Sequence, residues 1–177
     1  MTGEIIIRDI SLDEVSPALF DGFIRHQEVT RCLRREIGAW VVKDIAFTEE
    51  WGSADFVNLS DELRAVLLGG GFAAGAFAGG GLAGFVIVSG ELFLNYAILL
   101  NMQVSYPFRG RGLGRGLFNE AKRFARELGA EKLYISSHSS LESQAFYEKM
   151  GCADAEKITR LAALEPCDRQ LECSLNQ

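Results

Sequence analysis

Short apolar runs along the chain predict its strands. In the tail, Leu171, Cys173 and Leu175 alternate with polar neighbours, which is the pattern of a half-buried strand. The run Tyr96–Val104 is mostly apolar, which predicts a strand buried on both faces of a sheet. The other predicted strands are residues 5–8, 29–33, 40–47, 72–77, 82–89 and 132–136.

Apolar residues three and four positions apart predict four helices between these strands. Glycine follows three of them and indicates where each helix ends. The predicted helices are residues 12–24, with Pro17 in the early turns; 53–68, capped by Ser53; 113–128, closed by Gly129; and 141–150, with Ser139 and Glu142 at capping-box spacing.

The uncharged segment 65–90 is long enough to cross a membrane as a helix. Nine of its residues are glycine, and each glycine costs a helix interior about 1 kcal/mol relative to alanine. Glycine instead suits a tight turn, because it adopts positive φ without strain. We therefore predict a buried hairpin, with a turn at residues 78–81.

No linker, repeat or low-complexity stretch divides the 177 residues, and this length suits one domain of roughly 150 residues. Folding at this size buries about 70% of the unfolded chain's surface, which is enough for a hydrophobic core that needs no disulfide or metal to stabilise it. The mixture of helices and strands therefore predicts one α/β domain over residues 1–177.

Composition narrows the range of partners and compartments. The net charge of −6 disfavours long-range attraction to nucleic acid or to anionic membranes. The four cysteines, Cys32, Cys152, Cys167 and Cys173, form no CxxC pair, so we expect reduced, mostly buried thiols and no metal site. The first ten residues carry three charges and no apolar h-region, so we expect no signal peptide and a cytoplasmic protein.

The segment 104–116, VSYPFRGRGLGRG, carries the clearest chemical signal. A strand enters a loop rich in glycine and arginine, and a helix leaves it. Glycines let backbone N–H groups approach an anion, and the helix N-terminus and three arginines supply positive charge. Neither a GKS/GKT triplet nor a complete GxGxxG is present, since Leu117 occupies the last glycine position. The segment predicts a diphosphate cradle.

Two motifs in this region resemble those of a known family. Arg109-x-x-Gly112-x-Gly114 resembles the (Q/R)xxGx(G/A) signature of the GNAT superfamily of acetyl-CoA-dependent N-acetyltransferases. Downstream, Tyr147-Glu-Lys-Met-Gly151 is similar to the family's YEKxGF signature, with Cys152 in place of the aromatic residue. The resemblance covers residues 81–150 and implies a mixed central sheet with splayed strands, flanked by helices.

The resemblance also implies roles for particular residues, with acetyl-CoA as co-substrate and no metal. Tyr147 would donate a proton to the departing thiolate, and a backbone N–H near Met102 would stabilise the oxyanion. Ser140 stands where many members carry an asparagine that binds the pantetheine arm. The implied cofactor-binding residues are Met102, Gln103, Val104, Arg109, Gly110, Arg111, Gly112, Leu113, Gly114, Arg115 and Ser140.

The implied activity is transfer of the acetyl group to a primary amine of a small molecule or peptide, by direct attack on the thioester. One alternative is a non-catalytic acyl-CoA-binding module. Another is an RNA-binding element built on RGRGLGRG, which the acidic balance and the helical pattern after Leu113 disfavour. Tyr147 could also serve only as a core residue.

The sequence leaves several candidates for the residues that would bind and deprotonate the acceptor amine. His26, Glu28 and Glu91 are candidates for the base that deprotonates the amine, although each is also typical of a solvated surface. His138 follows a predicted strand, at the edge where α/β proteins place ligands. The predicted hairpin over residues 29–47, with its tryptophan, suits either an acceptor pocket or the surface of a homodimer.

Overall fold

Nine strands and four α-helices make up the described part of the chain, which comprises residues 4–156, 159–163 and 165–176 of this computed structural model. The strands are β1 (Ile5–Asp9), β2 (His26–Glu36), β3 (Ala39–Glu50), β4 (Phe72–Ala78), β5 (Gly81–Val88), β6 (Tyr96–Val104), β7 (Lys132–Ser137), β8 (Ala153–Asp154) and β9 (Arg169–Ser174). The helices are α1 (Ser53–Leu68), α2 (Leu113–Glu127), α3 (Leu141–Lys149) and α4 (Thr159–Ala162).

Seven of the strands form one mixed sheet in the order β1-β4-β5-β6-β7-β9-β8. The pair β6–β7 is parallel, and the other described pairs in this sheet are antiparallel. Strands β2 and β3 pair with each other as a separate two-stranded hairpin. The predicted α/β class with a mixed central sheet is confirmed.

Each face of the main sheet has its own hydrophobic core. On one face, Leu117, Phe118 and Ala121 of α2 are buried against β4, β5 and β6. On the other face, Leu59 and Leu63 of α1 are buried beside a cluster of aromatic rings. The alternation of side chains along the strands supplies both layers, so the sheet is covered by helices on two sides.

The uncharged segment forms the predicted hairpin. Strands β4 and β5 are joined at Gly79 and Gly80, whose φ angles are +58° and +85°. Within the described ranges, no helix has the length and apolar character needed to cross a membrane. Because each glycine raises the free energy of a helix interior, this glycine-rich segment favours strands over a helix.

The first predicted helix is wrong. Residues 12–24 contain two short 3₁₀ turns instead, Leu12–Glu14 and Pro17–Phe20. Pro17 has no N–H to donate to the preceding turn, and Gly22 adopts a φ of +77°, which a continuous helix cannot include. The apolar spacing is real, because Val15, Phe20 and Phe23 are buried, but short turns place them in the core.

Two predicted helix caps lie one residue from their true positions. Gly52, rather than Ser53, precedes α1, and its N–H donates to Asp55 Oδ2 at 2.7 Å. At α3 the cap is Ser140, whose Oγ accepts from the Ser143 N–H at 3.3 Å, rather than Ser139. Several polar residues adjoin each helix start, so spacing alone did not identify the cap.

The prediction of mostly buried cysteines holds for half of them. All four are free thiols; Cys32 and Cys173 are buried, Cys152 is partly buried and Cys167 is exposed. Cys152 packs against the core on the α2 face. A side chain smaller than the usual aromatic therefore still contributes to that core.

The turn after β5 approaches the turn after α1 so closely that no side chain fits between them. A Cβ at Gly90 would lie 2.4 Å from the carbonyl carbon of Gly70 and 2.5 Å from the nitrogen of Gly71. We expect Gly90→Ala to lower the free energy of unfolding by about 1–3 kcal/mol, as overpacking does. Urea unfolding measured on both proteins checks this value.

The control is Gly81→Ala, because a Cβ there would meet its nearest neighbour, the Ala78 carbonyl oxygen, only at 3.8 Å. We expect this variant to stay within about 0.5 kcal/mol of the natural protein. Equal midpoints for the two alanine variants would contradict the close approach at Gly90.

Candidate active site

Strands β6 and β7 separate partway along their length. Their parallel pairing runs from Tyr96 opposite Lys132 to Leu99 opposite Ile135 and then stops. The register between β5 and β6 shifts at the same point, where Leu100 is the extra residue of a bulge. Because a bulge bends its strand, the rest of β6 turns away from β7. Its backbone groups on that side become available to a ligand.

This bulge also corrects the prediction that Tyr96–Val104 is buried on both faces. Tyr96, Ala97 and Leu99 are buried and Ile98 is partly buried, whereas Leu100 is 50% exposed and residues 101–104 are half-buried. An apolar run predicts burial by neighbouring strands, but here one neighbour diverges. The half-exposed stretch is the part of β6 that borders a groove.

The groove begins at the N-terminus of α2. Gly110 and Gly112 have φ angles of +74° and +80°, and Gly112 directly precedes the helix. The first N–H groups of any helix lack intrahelical acceptors, and the helix dipole adds partial positive charge at this end. A loop of this kind is able to hold an anion, the class of ligand that its sequence predicts.

The groove has a volume of about 760 Å³ and runs from this loop along residues 102–104 of β6, in the stretch that no longer pairs with β7. It is bordered by β6, by the start of α2 and by α3. Ten of the twelve residues implied by the motifs line it: Met102, Gln103, Val104, Arg109, Gly110, Gly112, Leu113, Gly114, Arg115 and Tyr147.

Arg111 and Ser140 are the two implied residues that do not line the groove. The Arg111 guanidinium lies 5.3 Å from the centre of the Phe108 ring, on the exposed side of the loop. Ser140 is only 2% exposed, and its Oγ accepts from Gln27 Nε2 at 3.0 Å. The groove is instead lined by Ser143 and Gln27, which the motifs did not indicate.

Tyr147 is a buried residue with its ring among aromatic neighbours. Its ring centre lies 5.1 Å from that of Phe146 and 5.9 Å from that of Phe118. Burial raises the pKa of the hydroxyl well above its usual value, and Cys152 and Asp168 raise it further. The hydroxyl is therefore protonated at neutral pH, as a proton donor must be.

A second arginine, Arg25, lies close behind Arg109. Burial lowers the pKa of Arg109, and the nearby positive charge of Arg25 lowers it further. Arg25 is 5% exposed, and its Nη2 donates to Glu49 Oε2 at 2.8 Å. Its Nε and Nη1 are buried and have no partner among the described residues. Two adjacent guanidiniums with free N–H groups favour an anion or a carbonyl oxygen here.

His138 is fixed at both ring nitrogens. The Ser140 N–H donates to Nδ1 at 3.2 Å, and Nε2 lies 3.3 Å from Glu49 Oε1. The first contact requires a lone pair on Nδ1, so the neutral ring carries its proton on Nε2 and donates it to Glu49. His138 therefore has no free lone pair for an amine proton in this arrangement.

The three candidate bases occupy different places. His26 Nδ1 lies 2.5 Å from Glu50 Oε1, and its Nε2 lies 3.5 Å from Glu28 Oε1, at the base of the β2–β3 hairpin. Glu91 is exposed in the turn before β6, at the opposite end of that strand from the groove. The six residue steps from Tyr96 to Met102, where the groove lining on β6 begins, span about 20 Å, which is too far for proton transfer.

Several solved structures share this fold at low sequence identity. A nourseothricin acetyltransferase superposes with a TM-score of 0.70 at 19% identity, covering 95% of both chains. A Bacillus anthracis protein assigned as a streptothricin acetyltransferase, in complex with acetyl coenzyme A, gives 0.66 at 17% identity over 96% of each chain. The PaiA N-acetyltransferase of Thermoplasma acidophilum, in complex with coenzyme A, gives 0.60 at 16% identity, covering 97% of this chain and 99% of that one.

The sequence itself identifies the family. Residues 38–152 match the profile described as the acetyltransferase (GNAT) family, which is more than half of the chain. No curated protein sequence matches the chain significantly. The matched range includes both motifs, the bulged strand β6 and the loop before α2. The chain therefore belongs to the acetyltransferase (GNAT) family and is an acetyl-CoA-dependent acyltransferase, as its two motifs implied.

Proposed function

We propose that this protein is an N-acetyltransferase that moves the acetyl group of acetyl-CoA onto a primary amine of a small molecule or peptide. One observation carries the proposal: a single groove joins the glycine-rich helix N-terminus to residues 102–104 of β6, which no longer pair with β7, with Tyr147 in its lining. This arrangement suits an anionic cofactor whose reactive end must meet a second substrate.

The diphosphate of the cofactor binds at the loop before α2. Backbone N–H groups from Gly110 to Arg115 surround it, and the guanidinium of Arg115 is exposed at the same helix end. Charge-assisted hydrogen bonds of this kind are about twice as strong as neutral ones. Arg109 contributes from the groove wall, where its Nε donates to the Val104 carbonyl at 3.2 Å.

The pantetheine arm lies along the free edge of β6 and pairs with backbone groups of Met102 and Val104, as an added strand would. Ser143 replaces Ser140 as the hydroxyl that faces this arm, because Ser143 lines the groove and Ser140 does not. Gln103 holds its side chain on the strand by donating to Asn101 Oδ1 at 3.2 Å.

The chemistry follows from this placement. The neutral amine attacks the thioester carbonyl carbon, and a backbone N–H near Met102 stabilises the negative oxygen. When the carbon–sulfur bond breaks, the thiolate takes the hydroxyl proton of Tyr147. Because the pKa of Tyr147 is raised by burial, the hydroxyl holds its proton until the thiolate forms.

The first test is binding and turnover of the natural protein. Free acetyl-CoA at a hundred times its Kd should stabilise the fold by about 2.7 kcal/mol, which corresponds to a Tm increase of about 5–10 °C. Thiol release measured against polyamines, aminoglycosides, amino acids and peptides should then identify an acceptor. Binding without release across the panel would favour the non-catalytic module, and no Tm shift at millimolar acetyl-CoA would contradict the cofactor site.

The second test addresses the helix N-terminus. We expect Gly112→Val to weaken acetyl-CoA binding by at least about tenfold, or 1.4 kcal/mol, because valine disfavours positive φ and its side chain faces the diphosphate. Calorimetric titration measures the loss. Gly129→Val is the matched control, since Gly129 has a φ of +88° at the other end of α2 and open space around it.

Both variants strain the backbone similarly, so both should lose stability to a similar degree. Only the change at Gly112 should alter the Kd for acetyl-CoA. Equal affinities in the two variants would place the diphosphate away from this loop.

The third test separates catalysis from packing at Tyr147. Tyr147→Phe removes one oxygen and no apolar volume, so turnover should fall by roughly 10²–10⁴-fold while the unfolding midpoint changes little. The control is Tyr96→Phe, which removes the hydroxyl of another buried tyrosine, one that donates to Glu172 at the far end of β6. If Tyr147→Phe turns over a known acceptor as fast as the natural protein does, Tyr147 has only a packing role.

A further inference from the structure

A second cavity lies at the edge of the main sheet formed by β9 and β8, beside the β2–β3 hairpin. Its volume is about 740 Å³, close to that of the cofactor groove. It opens between the end of the β2–β3 hairpin and the segment that leads into β9. Its polar and aromatic lining comes from Arg34, Arg35, Trp40, Asp154, Asp168 and Gln170.

The last two residues of β7, Ser136 and Ser137, point to opposite sides of the sheet. Side chains alternate between the faces of a strand, and Ser137 points to the α3 side, where its Oγ accepts from Gln144 Nε2 at 2.6 Å. Ser136 points to the other side, where its Oγ accepts from Gln170 Nε2 at 3.2 Å. Both serines lie beyond Ile135, where pairing with β6 has stopped. The end of β7 that no longer pairs with β6 therefore has α3, which borders the groove, on one side and Gln170, which lines the second cavity, on the other.

Asp168 is the carboxylate beside this end of β7. Its Oδ2 accepts from Ser136 Oγ at 3.3 Å, and Gln170 Nε2 donates to its backbone carbonyl at 3.4 Å. Burial raises the pKa of Asp168, and Glu165 and Glu49 raise it further, while His138 and the Ser136 hydrogen bond act in the opposite direction. The carboxylate is also near enough to Tyr147 to raise the pKa of its hydroxyl.

We propose that this second cavity receives the acceptor amine and that Asp168 takes the proton the amine must lose. The inference rests on the proposed N-acetyltransferase activity. Tyr147 and Asp168 then act from opposite faces of the sheet, with the thioester between them. Glu49 is the other carboxylate near the end of β7, but it already accepts from buried Arg25 and contacts His138. Asp168 is therefore the better placed base.

These groups account for each proton transferred and each bond formed or broken in the reaction. The bound ammonium gives one proton to the Asp168 carboxylate, which passes it to solvent, and the nitrogen lone pair forms the carbon–nitrogen bond. The carbon–sulfur bond breaks as the thiolate takes the Tyr147 proton. The second proton lost by nitrogen, as the amide forms, restores the Tyr147 hydroxyl through solvent. The products are the acetylated amine, free coenzyme A and one released proton.

The charges around the cavity indicate the class of amine. Asp154 is neutralised by Arg169, whose Nε and Nη2 donate to its two oxygens at 2.6 and 2.9 Å. Two cations, Arg34 and Arg35, line the same cavity as Asp168. An acceptor with an anionic group near its amine matches this pattern better than a polyamine does. Amino acids and peptides with a free carboxylate are therefore the acceptor class we infer.

Asp168→Asn tests the proton transfer without changing the side-chain shape. At neutral pH we expect turnover to fall by roughly 10²–10⁴-fold, with acetyl-CoA affinity unchanged. The loss should shrink as the pH approaches the acceptor's own pKa, because free amine needs no base. Asp44→Asn, at an exposed carboxylate of β3, controls for the change in net charge and should keep full turnover.

A loss that stays constant across pH, or turnover within about twofold of the natural protein, would overturn the role of Asp168. Should the asparagine variant fail to fold, Asp168→Ala assayed with added formate replaces it. Formate restores a carboxylate to the cavity and should recover part of the turnover, whereas no recovery would overturn the inference. Absence of amine acetylation by the natural protein would instead refute the proposed function.

The acceptor class has its own measurement. Arg35→Gln should raise the KM for an amino acid about tenfold or more and leave the KM for the corresponding amino-acid amide unchanged, because the amide lacks the carboxylate. Equal changes for both acceptors, or a natural preference for polyamines, would overturn the inferred class.

Discussion

The separation of β6 from β7 is the constraint on which the rest of the site depends. One extra residue, Leu100, interrupts the pairing of β6 with β5 and bends the strand away from its parallel neighbour. A continuous sheet would use every backbone N–H and C=O of β6 within the fold. The bulge instead leaves one edge of residues 101–104 for a ligand, because the pairing of β6 with β7 ends at Leu99.

The rigid core on one face holds the anion-binding loop beside this free edge. Leu117, Phe118 and Ala121 anchor α2 to the sheet with almost no exposed surface. The start of α2 also touches α3 closely, since a Cβ at Gly114 would lie 3.1 Å from the Phe146 ring. The first family motif is thus in direct contact with the residue that precedes the second motif, although more than thirty residues separate the two in the chain.

Local pattern sufficed for the elements whose residues lie next to each other in sequence. The glycine hairpin, the bounds of β6 and the extent of α2 were predicted closely, because propensity and periodicity act over a few residues. The prediction failed at residues 12–24, where helical spacing occurs without a helix. Pro17 and Gly22 prevent one, and packing under the sheet buries the same apolar residues in short turns.

The sequence by itself determined the family and predicted a cofactor loop and a proton donor at Tyr147, because these motifs are contiguous and their chemistry follows from residue type. Tertiary structure decided that Ser143 and not Ser140 faces the groove, and that Arg25, Glu49 and Asp168 gather where β6 and β7 diverge. Those three residues come from distant parts of the chain, and no local periodicity relates them. Their proximity depends on strand order and register, which only the folded sheet specifies.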